Sequence, residues 1–199
     1  MQNKNLLNNG SALKCYTVVM AIEIPSYQVL VHQNGFELRE YDQMTLATVK
    51  VNSDDFMDSI NRGFRPLADY IFGNNTLKTD TDSDVSQKIA MTAPVTSSIQ
   101  DDGTYKVAFT MPQGYSIKSL PNPNNKDVTH ENVKSHKVCV VRFSGRPNES
   151  MVQDKISQLK HWADQKGYKL QGKPTLSIYN PPWRPGFLRR NEISITVKN

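Results

Sequence analysis

Aromatic and basic side chains alternate between Trp183 and Glu192, and this stretch, WRPGFLRRNE, holds the residue types that most directly suggest chemistry. Guanidinium groups beside aromatic rings suit an anionic aromatic ligand, and they also suit RNA bases that stack on the rings. The same residues suit a closing loop in which Asn191 and Glu192 hold the backbone before a last strand. The sequence contains no RNA-recognition motif, so RNA is the least favoured of these alternatives.

Residue types that serve as nucleophiles, acids and metal ligands are present, but their spacing does not indicate catalysis. Glu37, Glu40 and Glu192 are isolated acids on predicted strands, and no Ser-His-Asp arrangement, carboxylate pair or metal-ligand spacing is found. The histidines have polar neighbours and are expected at the surface: His32, His130, His136 and His161. An enzymatic function is therefore the least favoured hypothesis.

The two cysteines, Cys15 and Cys139, are too few for a disulfide scaffold and lie outside CxxC, CxxCH and Cys-Pro contexts. In VCVVRF, Cys139 alternates with Val141 and Phe143, so we expect a buried apolar side chain rather than a thiolate ligand. These cysteines favour a reducing compartment such as the cytoplasm. The stretch ALKCYTVVMAIEI is interrupted by charged residues, which disfavours a secretory signal, while plastid targeting stays open.

The overall charge favours anionic partners, since the formal net charge is +5 and the isoelectric point is near 9.1. Lysine and arginine are scattered, however, and no run is as dense as a nucleic-acid arm. No apolar run approaches the roughly 20 residues of a membrane span. A small acidic ligand therefore fits the overall charge.

The length of 199 residues and the 37% hydrophobic content allow one substantial core or two fused copies of a smaller unit.

The first half of the chain begins with a predicted hairpin, because YQVLVHQ and FELREY flank Asn34-Gly35, a pair that tight turns prefer. MTLATVKVN is a third strand, and residues 53–55 then offer acceptors to a helix start. Apolar residues at helical spacing follow until Gly73: Phe56, Ile60, Phe64, Leu67 and Ile71. The polar stretch 76–86 is a predicted loop, and QKIAMTAPVTSSI and TYKVAFTM are predicted strands.

The second half repeats this order of elements. HKVCVVRFSG is a predicted strand, residues 147–166 a helix ending at Gly167, and PTLSIYNPPW and NEISITVK two further strands. Val107 and Phe109 correspond to Ile193 and Ile195 in these patterns. The sequence therefore predicts a duplicated β-α-β-β unit, with repeats at roughly 44–111 and 136–198.

A proline, Pro94, interrupts the alternating stretch QKIAMTAPVTSSI, and Pro181 stands at the corresponding place in the second half. Proline has no N–H to donate to a sheet, so it is tolerated where a strand leaves the sheet, at an edge or at a bulge. The small residues Ala90 and Ala93 leave room for something to lie close to the sheet. Packing of the helix is the favoured interpretation, with a ligand contact as the alternative.

The motifs KIAMTAPV, FELREY, NPPW and RRNEISITV together resemble the SOUL haem-binding family, and plant-type members most closely. The resemblance spans residues 23–198, so we expect a single domain at 23–199 and an accessory or poorly ordered segment at 1–22. It implies an α+β fold, a distorted antiparallel β-barrel of about eight strands with two helices, built from duplicated β-α-β-β units. It also implies reversible, non-covalent binding of haem and other tetrapyrroles, without enzymatic chemistry.

The resemblance also implies a pocket on the first helix and nearby strands, with these apolar residues: Met57, Ile60, Phe64, Leu67 and Met91. Arg62 and Arg65 are candidates for the haem carboxylates, because a guanidinium matches a carboxylate with two hydrogen bonds. They are neighbours rather than equivalents of the family's basic positions. Some relatives have a histidine where this chain has Glu40, so we assign no metal-ligand residue and predict that haem is held mainly by burial and carboxylate pairing, with a weak or exchangeable axial ligand.

Three hypotheses follow. The favoured one is a monomeric tetrapyrrole carrier or buffer. The second is a protein-interaction module that keeps the fold without a ligand, using the predicted Pro/Asn-rich loop 112–136 as its surface. The third is an enzyme, since the duplicated architecture also resembles the gyrase-inhibitor-like group of effector and hydrolase modules.

Overall fold

The computed structural model describes residues 22–78 and 85–198. The two helices in this part of the chain are α1 (Phe56–Ile71) and α2 (Glu149–Gln165). The strands are β1 (Tyr27–Gln33), β2 (Phe36–Tyr41), β3 (Met44–Val51), β4 (Asn75–Thr76), β5 (Val95–Ile99), β6 (Tyr105–Thr110), β7 (Asn122–Pro123), β8 (Val128–Val133), β9 (His136–Phe143), β10 (Leu170–Ile178) and β11 (Asn191–Val197). A 3-10 turn, Gly186–Leu188, precedes β11.

Nine of the described strands form one antiparallel sheet in the order β1-β2-β9-β11-β10-β5-β6-β3-β8. The order strand, helix, strand, strand occurs twice, as β3-α1-β5-β6 and as β9-α2-β10-β11, and the two units meet where β10 pairs with β5. The α+β class with a distorted, barrel-like sheet is therefore confirmed. The sheet is not closed, because β1 and β8 remain at its two edges.

Local sequence signals set the ends of several elements. Asn34 and Gly35 both have positive φ, 48° and 83°, as the tight turn of the β1–β2 hairpin requires. The Asp55 carboxylate accepts the Asp58 N–H at 2.7 Å and caps α1. Asn148 caps α2 in the same way, so this helix begins two residues later than predicted.

Both helices pack on the same face of the sheet, α1 on β3, β5 and β6, and α2 on β9, β10 and β11. The helix α1 lies very close to β6: a Cβ added to Gly63 would be 2.6 Å from the side chain of Val107. Gly63 therefore provides the room that the sequence assigned to Ala90 and Ala93. Ala90 is instead exposed to solvent, while Ala93 is buried.

The predicted strand through Pro94 is wrong in its extent. Residues 85–94 form no regular strand, and β5 begins at Val95, directly after the cis Ala93-Pro94 peptide bond. Isolated backbone contacts, rather than a strand ladder, hold this segment. For example, the Ile89 N–H donates to the Ile71 carbonyl at 2.8 Å, and Thr92 forms an isolated bridge with Glu23. The proline thus stands where the chain enters the sheet.

The predicted loop 112–136 is also wrong, because it contains the edge strand β8, which pairs with β3. Its sequence, VTHENV, is too polar to indicate a strand by hydrophobic alternation alone. The expected accessory segment, with Cys15, lies outside the described residues except for Ile22.

Candidate functional site

One flank of α1 exposes apolar side chains beside a basic one. Met57 and Phe64 are seven residues apart and therefore lie on the same side of the helix, two turns from each other. Phe64 packs edge-on against Phe109 of β6, with ring centroids 5.4 Å apart, and keeps part of its surface exposed. Phe72, directly after the helix, is exposed as well. This flank, Met57, Phe64, Arg65 and Phe72, is called the α1 flank below.

Two of the predicted pocket residues lie under the helix instead. Ile60 and Leu67 are buried in the core between α1 and the sheet. Met91 is half-buried and packs against that core, two residues after Ile89, which is hydrogen-bonded to the C-terminal end of α1. The predicted apolar residues thus divide into a buried floor and a partly exposed surface.

The two predicted arginines differ in their surroundings. The Arg62 Nε lies 2.6 Å from an Asp58 carboxylate oxygen, in an exposed pair one helical turn apart. Arg65 is exposed and forms no ion pair within the described residues. Both guanidinium groups are exposed to solvent. The Arg62–Asp58 pair contributes little to stability, as exposed pairs do, so an external carboxylate can replace Asp58.

The structure shows two grooves away from these residues. One, of about 450 Å³, lies on the sheet face opposite α1 and is lined by Thr48, Lys50, Gln100, Lys106, Asp127, Thr129 and Glu131. The other, of about 170 Å³, lies beside the ends of β3 and β6, and its lining includes Glu23, Asp42, Met44, Met111 and Tyr115. Neither groove contains any of the seven predicted site residues.

The histidines lie apart from one another in the described part of the chain and do not form a group of metal ligands there. His32 and His161 are exposed, as expected, but His130 is half-buried and its Nε2 lies 2.9 Å from the Tyr70 hydroxyl. Burial, with a smaller contribution from the charge of Lys78, lowers the pKa of His130. The residues that the structure describes contain no group of three or more His, Cys, Asp or Glu side chains that could hold a metal ion.

Cys139 is fully buried, as its alternation with apolar residues predicts. Burial raises the pKa of its thiol to about 11, so the side chain stays protonated. A neutral, enclosed thiol cannot act as a metal ligand at neutral pH without being deprotonated. The prediction of an apolar role is confirmed.

A buried charged cluster on the sheet face opposite α2 is the feature that sequence reasoning missed. Arg39 of β2 binds Glu192 of β11 through two parallel hydrogen bonds of 2.8 and 3.0 Å, and both side chains are 2% exposed. The same carboxylate accepts hydrogen bonds from Arg190 at 2.9 Å and from the Tyr179 hydroxyl at 2.8 Å. Glu192 is therefore the centre of a satisfied network, not the isolated acid that the sequence indicated.

Electrostatics within this cluster favour the charged forms. Burial alone would raise the pKa of Glu192, but the hydrogen bonds and charge of Arg39 outweigh it and hold that pKa below its usual range. Burial and the negative charge of Glu192 raise the pKa of Tyr179. The only signal in the sequence was that Arg39 and Glu192 both alternate with apolar residues, and nothing in it pairs residues 153 positions apart.

Comparisons with known proteins agree with this fold and name a family. The model of the SOUL heme-binding protein family matches residues 22–196. Mouse Heme-binding protein 2 is 25% identical over 190 residues, which are 90% of this chain and 88% of the mouse protein. Human Heme-binding protein 2 is 27% identical over 172 residues, 83% of this chain and 79% of the human protein.

Solved structures with the same architecture are more distant in sequence. The C-terminal domain of EcmrR aligns with a TM-score of 0.60 at 16% identity, covering 87% of this chain and 98% of that domain. A hydrolase from Listeria innocua aligns with a TM-score of 0.58 at 10% identity, covering 85% of this chain and 94% of that one. At these identities the likeness concerns the fold alone.

The fold is a duplicated α+β architecture with an open, barrel-like sheet. The chain belongs to the SOUL haem-binding protein family, because the family model spans nearly all of it. No helix within the described ranges is long and apolar enough to cross a bilayer.

Proposed function

We propose that this protein binds haem and related tetrapyrroles non-covalently and acts as a monomeric carrier or buffer, without enzymatic turnover, in a reducing compartment such as the cytoplasm. The observation that carries the proposal is the family match over residues 22–196, together with relatives named Heme-binding protein 2. The buried, hydrogen-bonded state of Glu192 supports the absence of turnover, because this acid has no free oxygen directed at a substrate.

The proposed site is the α1 flank and its surroundings. A tetrapyrrole presents a flat apolar disc, which needs an apolar surface to cover one face. Met57, Phe64 and Phe72 supply such a surface, and the half-buried Met91 is the remaining predicted contact. Ile60 and Leu67 would act as the floor that fixes the helix on the sheet rather than as direct contacts.

The propionate groups of the ligand need cationic partners at the rim of the disc. Arg65 is the first candidate, because it lies on the same flank as Phe64 and has no ion pair in the described part of the chain. Arg62 lies further around the helix and would have to exchange Asp58 for a propionate. Haem would bring an iron able to take an axial ligand, but the α1 flank offers no histidine, so binding would rest on disc contact and carboxylate pairing.

Titration of the purified full-length chain with haemin, and in parallel with protoporphyrin IX, tests the proposal. We expect saturable changes in the Soret band and in tryptophan fluorescence for both ligands, with similar affinities, because disc burial and carboxylate pairing do not need iron. No saturable change at micromolar protein would contradict the proposal. An intact fold with no tetrapyrrole binding, but with haem-independent capture of a protein partner, would support the interaction-module alternative.

Variants locate the site. Phe64→Ser should weaken binding of both ligands by about tenfold through lost apolar contact, and Arg65→Gln by a similar factor through lost carboxylate pairing. Arg142→Gln is the matched control, because Arg142 is an exposed arginine on the other face of the sheet. Equal effects of Arg65→Gln and Arg142→Gln would mean that the propionates are not bound at α1.

A further inference from the structure

The loop between β10 and β11 carries large apolar side chains that nothing in the described chain covers. Trp183, Phe187 and Leu188 are 83%, 78% and 51% exposed. Arg184 and Arg189 lie among them, and the side chain of Arg146 runs beside the loop, with its Cγ 3.7 Å from where a Cβ of Gly186 would be. These six residues, Arg146, Trp183, Arg184, Phe187, Leu188 and Arg189, are called the aromatic-basic patch.

The patch is exposed although its backbone is well held. The Arg184 Nε donates to the Leu188 carbonyl at 2.9 Å, and the Arg189 Nε donates to the Arg184 carbonyl at 2.8 Å. The Gly145 N–H donates to the Gly186 carbonyl at 2.9 Å and ties the loop to the segment after β9. The apolar side chains therefore project from an ordered loop, which lowers the entropy lost when they contact a partner.

The charge of the patch is uncompensated. None of its three arginines forms an ion pair with any residue in the described ranges, and the chain as a whole has a formal net charge of +5. Buried Glu192 is already occupied by Arg39 and Arg190. The surface that complements this patch is therefore apolar at its centre and negatively charged around it.

We propose that the aromatic-basic patch inserts shallowly into the interface of a membrane that contains anionic lipids. Tryptophan rings favour the boundary between headgroups and acyl chains, phenylalanine and leucine side chains reach the acyl region, and arginines bind the headgroup phosphates. The exposure of the three apolar side chains means that the patch is convex, and a bilayer can deform around a convex surface. RNA bases would stack on the rings but give Leu188 no role.

This inference goes beyond the proposed tetrapyrrole function. Membrane binding and tetrapyrrole binding are tested by separate measurements, so either can be absent without the other. The sequence contains two tryptophans, and the other one, Trp162, is buried at 6% exposure. A change in tryptophan emission on adding vesicles therefore reports on Trp183. Haemin titration of the same preparation shows whether the tetrapyrrole site is intact.

The test mixes the full-length chain with vesicles of phosphatidylcholine alone or with about 30% phosphatidylserine, with and without brominated acyl chains. We expect a blue shift and quenching by brominated lipid with the anionic vesicles, weak effects with neutral vesicles, and loss of binding at high salt. Flotation of the protein with the vesicles provides a second readout. Trp183→Phe should float with the vesicles and lose most of the emission change.

Substitutions in the patch should weaken flotation without changing haemin binding or circular dichroism. The double variant Phe187→Ser/Leu188→Ser should bind anionic vesicles at least about tenfold more weakly, and Arg146→Gln about fivefold more weakly. Leu30→Ser is the control, because it removes an exposed leucine, 42% exposed against 51% for Leu188, from β1, outside both the patch and the α1 flank. It should leave vesicle binding unchanged.

Three results would overturn the proposal. The first is no flotation and no emission change with anionic vesicles. The second is equal loss of flotation in Leu30→Ser and in the double variant. The third is saturable binding of single-stranded RNA, abolished by the double variant, in the absence of any vesicle binding.

Discussion

The two halves of the sheet carry matching ion pairs with opposite polarity, one open to water and one buried. In the first half, Lys106 of β6 binds Glu131 of β8 at 2.8 Å. In the second half, Glu192 of β11 binds Arg39 of β2, also at 2.8 Å. Each bond reaches across an intervening strand, β3 in one half and β9 in the other.

The registers show that these pairs occupy corresponding positions. Lys106 faces Lys50, and Glu192 faces Arg142, in the equivalent strand pairs β6–β3 and β11–β9. Glu131 faces Leu46 just as Arg39 faces Val138 on the next strand outward. The duplicated architecture thus fixes where a cross-strand pair can form, while the sequence of each half decides which side is positive.

Burial separates the two pairs. Lys106 and Glu131 are 26% and 42% exposed and line the larger groove, because β8 is the last strand of the sheet. Beyond β2 lies a further strand, β1, whose Tyr27 ring stacks on the Arg39 guanidinium at 4.4 Å. Arg190 in turn lies 3.8 Å over the Tyr179 ring. The same geometry therefore gives a surface contact in one half and an enclosed network in the other.

The strongest test of this difference is removal of one acid from each pair. Glu192→Ala should lower the free energy of unfolding by about 3–5 kcal/mol, because it removes both of its hydrogen bonds from the buried Arg39 guanidinium and leaves it only the Glu37 carboxylate as an anionic partner, 2.5 Å from its Nε. Glu131→Ala should lower it by no more than about 1 kcal/mol, because water replaces the lost partner of Lys106. Urea denaturation followed by circular dichroism measures both. Equal losses would show that burial does not distinguish the pairs.

The helices also differ in how closely they approach the sheet. Gly63 is the eighth residue after the N-cap of α1, and the eighth residue after the N-cap of α2 is Ile156, a buried core residue. Gly63→Ala should destabilise the fold by about 1–3 kcal/mol, because the new methyl group would overlap Val107 and push α1 away from β6. The midpoint of thermal unfolding measures the loss. A neutral or stabilising effect, as the higher helix propensity of alanine alone would give, would contradict close packing at this point.

Acid should weaken the buried pair. The pKa of Glu192 is lowered in the folded protein, so its contribution is complete above its ordinary value of 4.5 and is lost as the pH falls through the folded-state value. The free energy of unfolding of the wild type should therefore decrease more between about pH 6 and about pH 3 than that of Glu192→Gln. Denaturant titrations at several pH values provide the measurement. Parallel pH profiles would mean that Glu192 does not couple protonation to folding.

Reversal of the exposed pair should have the smallest effect. Glu131→Lys combined with Lys106→Glu copies the polarity of the second half and should change the free energy of unfolding by less than about 1 kcal/mol, since exposed ion pairs depend little on their surroundings. Circular dichroism and urea denaturation of the double variant, compared with each single variant, measure the coupling. A loss of several kcal/mol in the double variant would show that the first half also depends on its polarity.

Much of the local structure could be predicted from the sequence. The Asn34-Gly35 turn, the start of α1 after Asp55 and the burial of Cys139 depend on a few neighbouring residues, and all are observed. The edge strand β8 could not be predicted, because its residues are mostly polar and it forms a strand only through backbone pairing with β3. The residues proposed to contact a tetrapyrrole came from family resemblance, and periodicity alone cannot separate those that face the core from those that face a ligand.

The sequence by itself determined the two helices, most of the strands of the repeated units, the duplication and the family, because these depend on short-range periodicity and on motifs read along the chain. The tertiary structure decided which charges meet, which are buried and which apolar residues remain exposed. Arg39 and Glu192 lie 153 residues apart, and only the order of strands in the sheet brings them together. Cross-strand neighbours are set by pairing across the whole chain, so no local pattern can encode them.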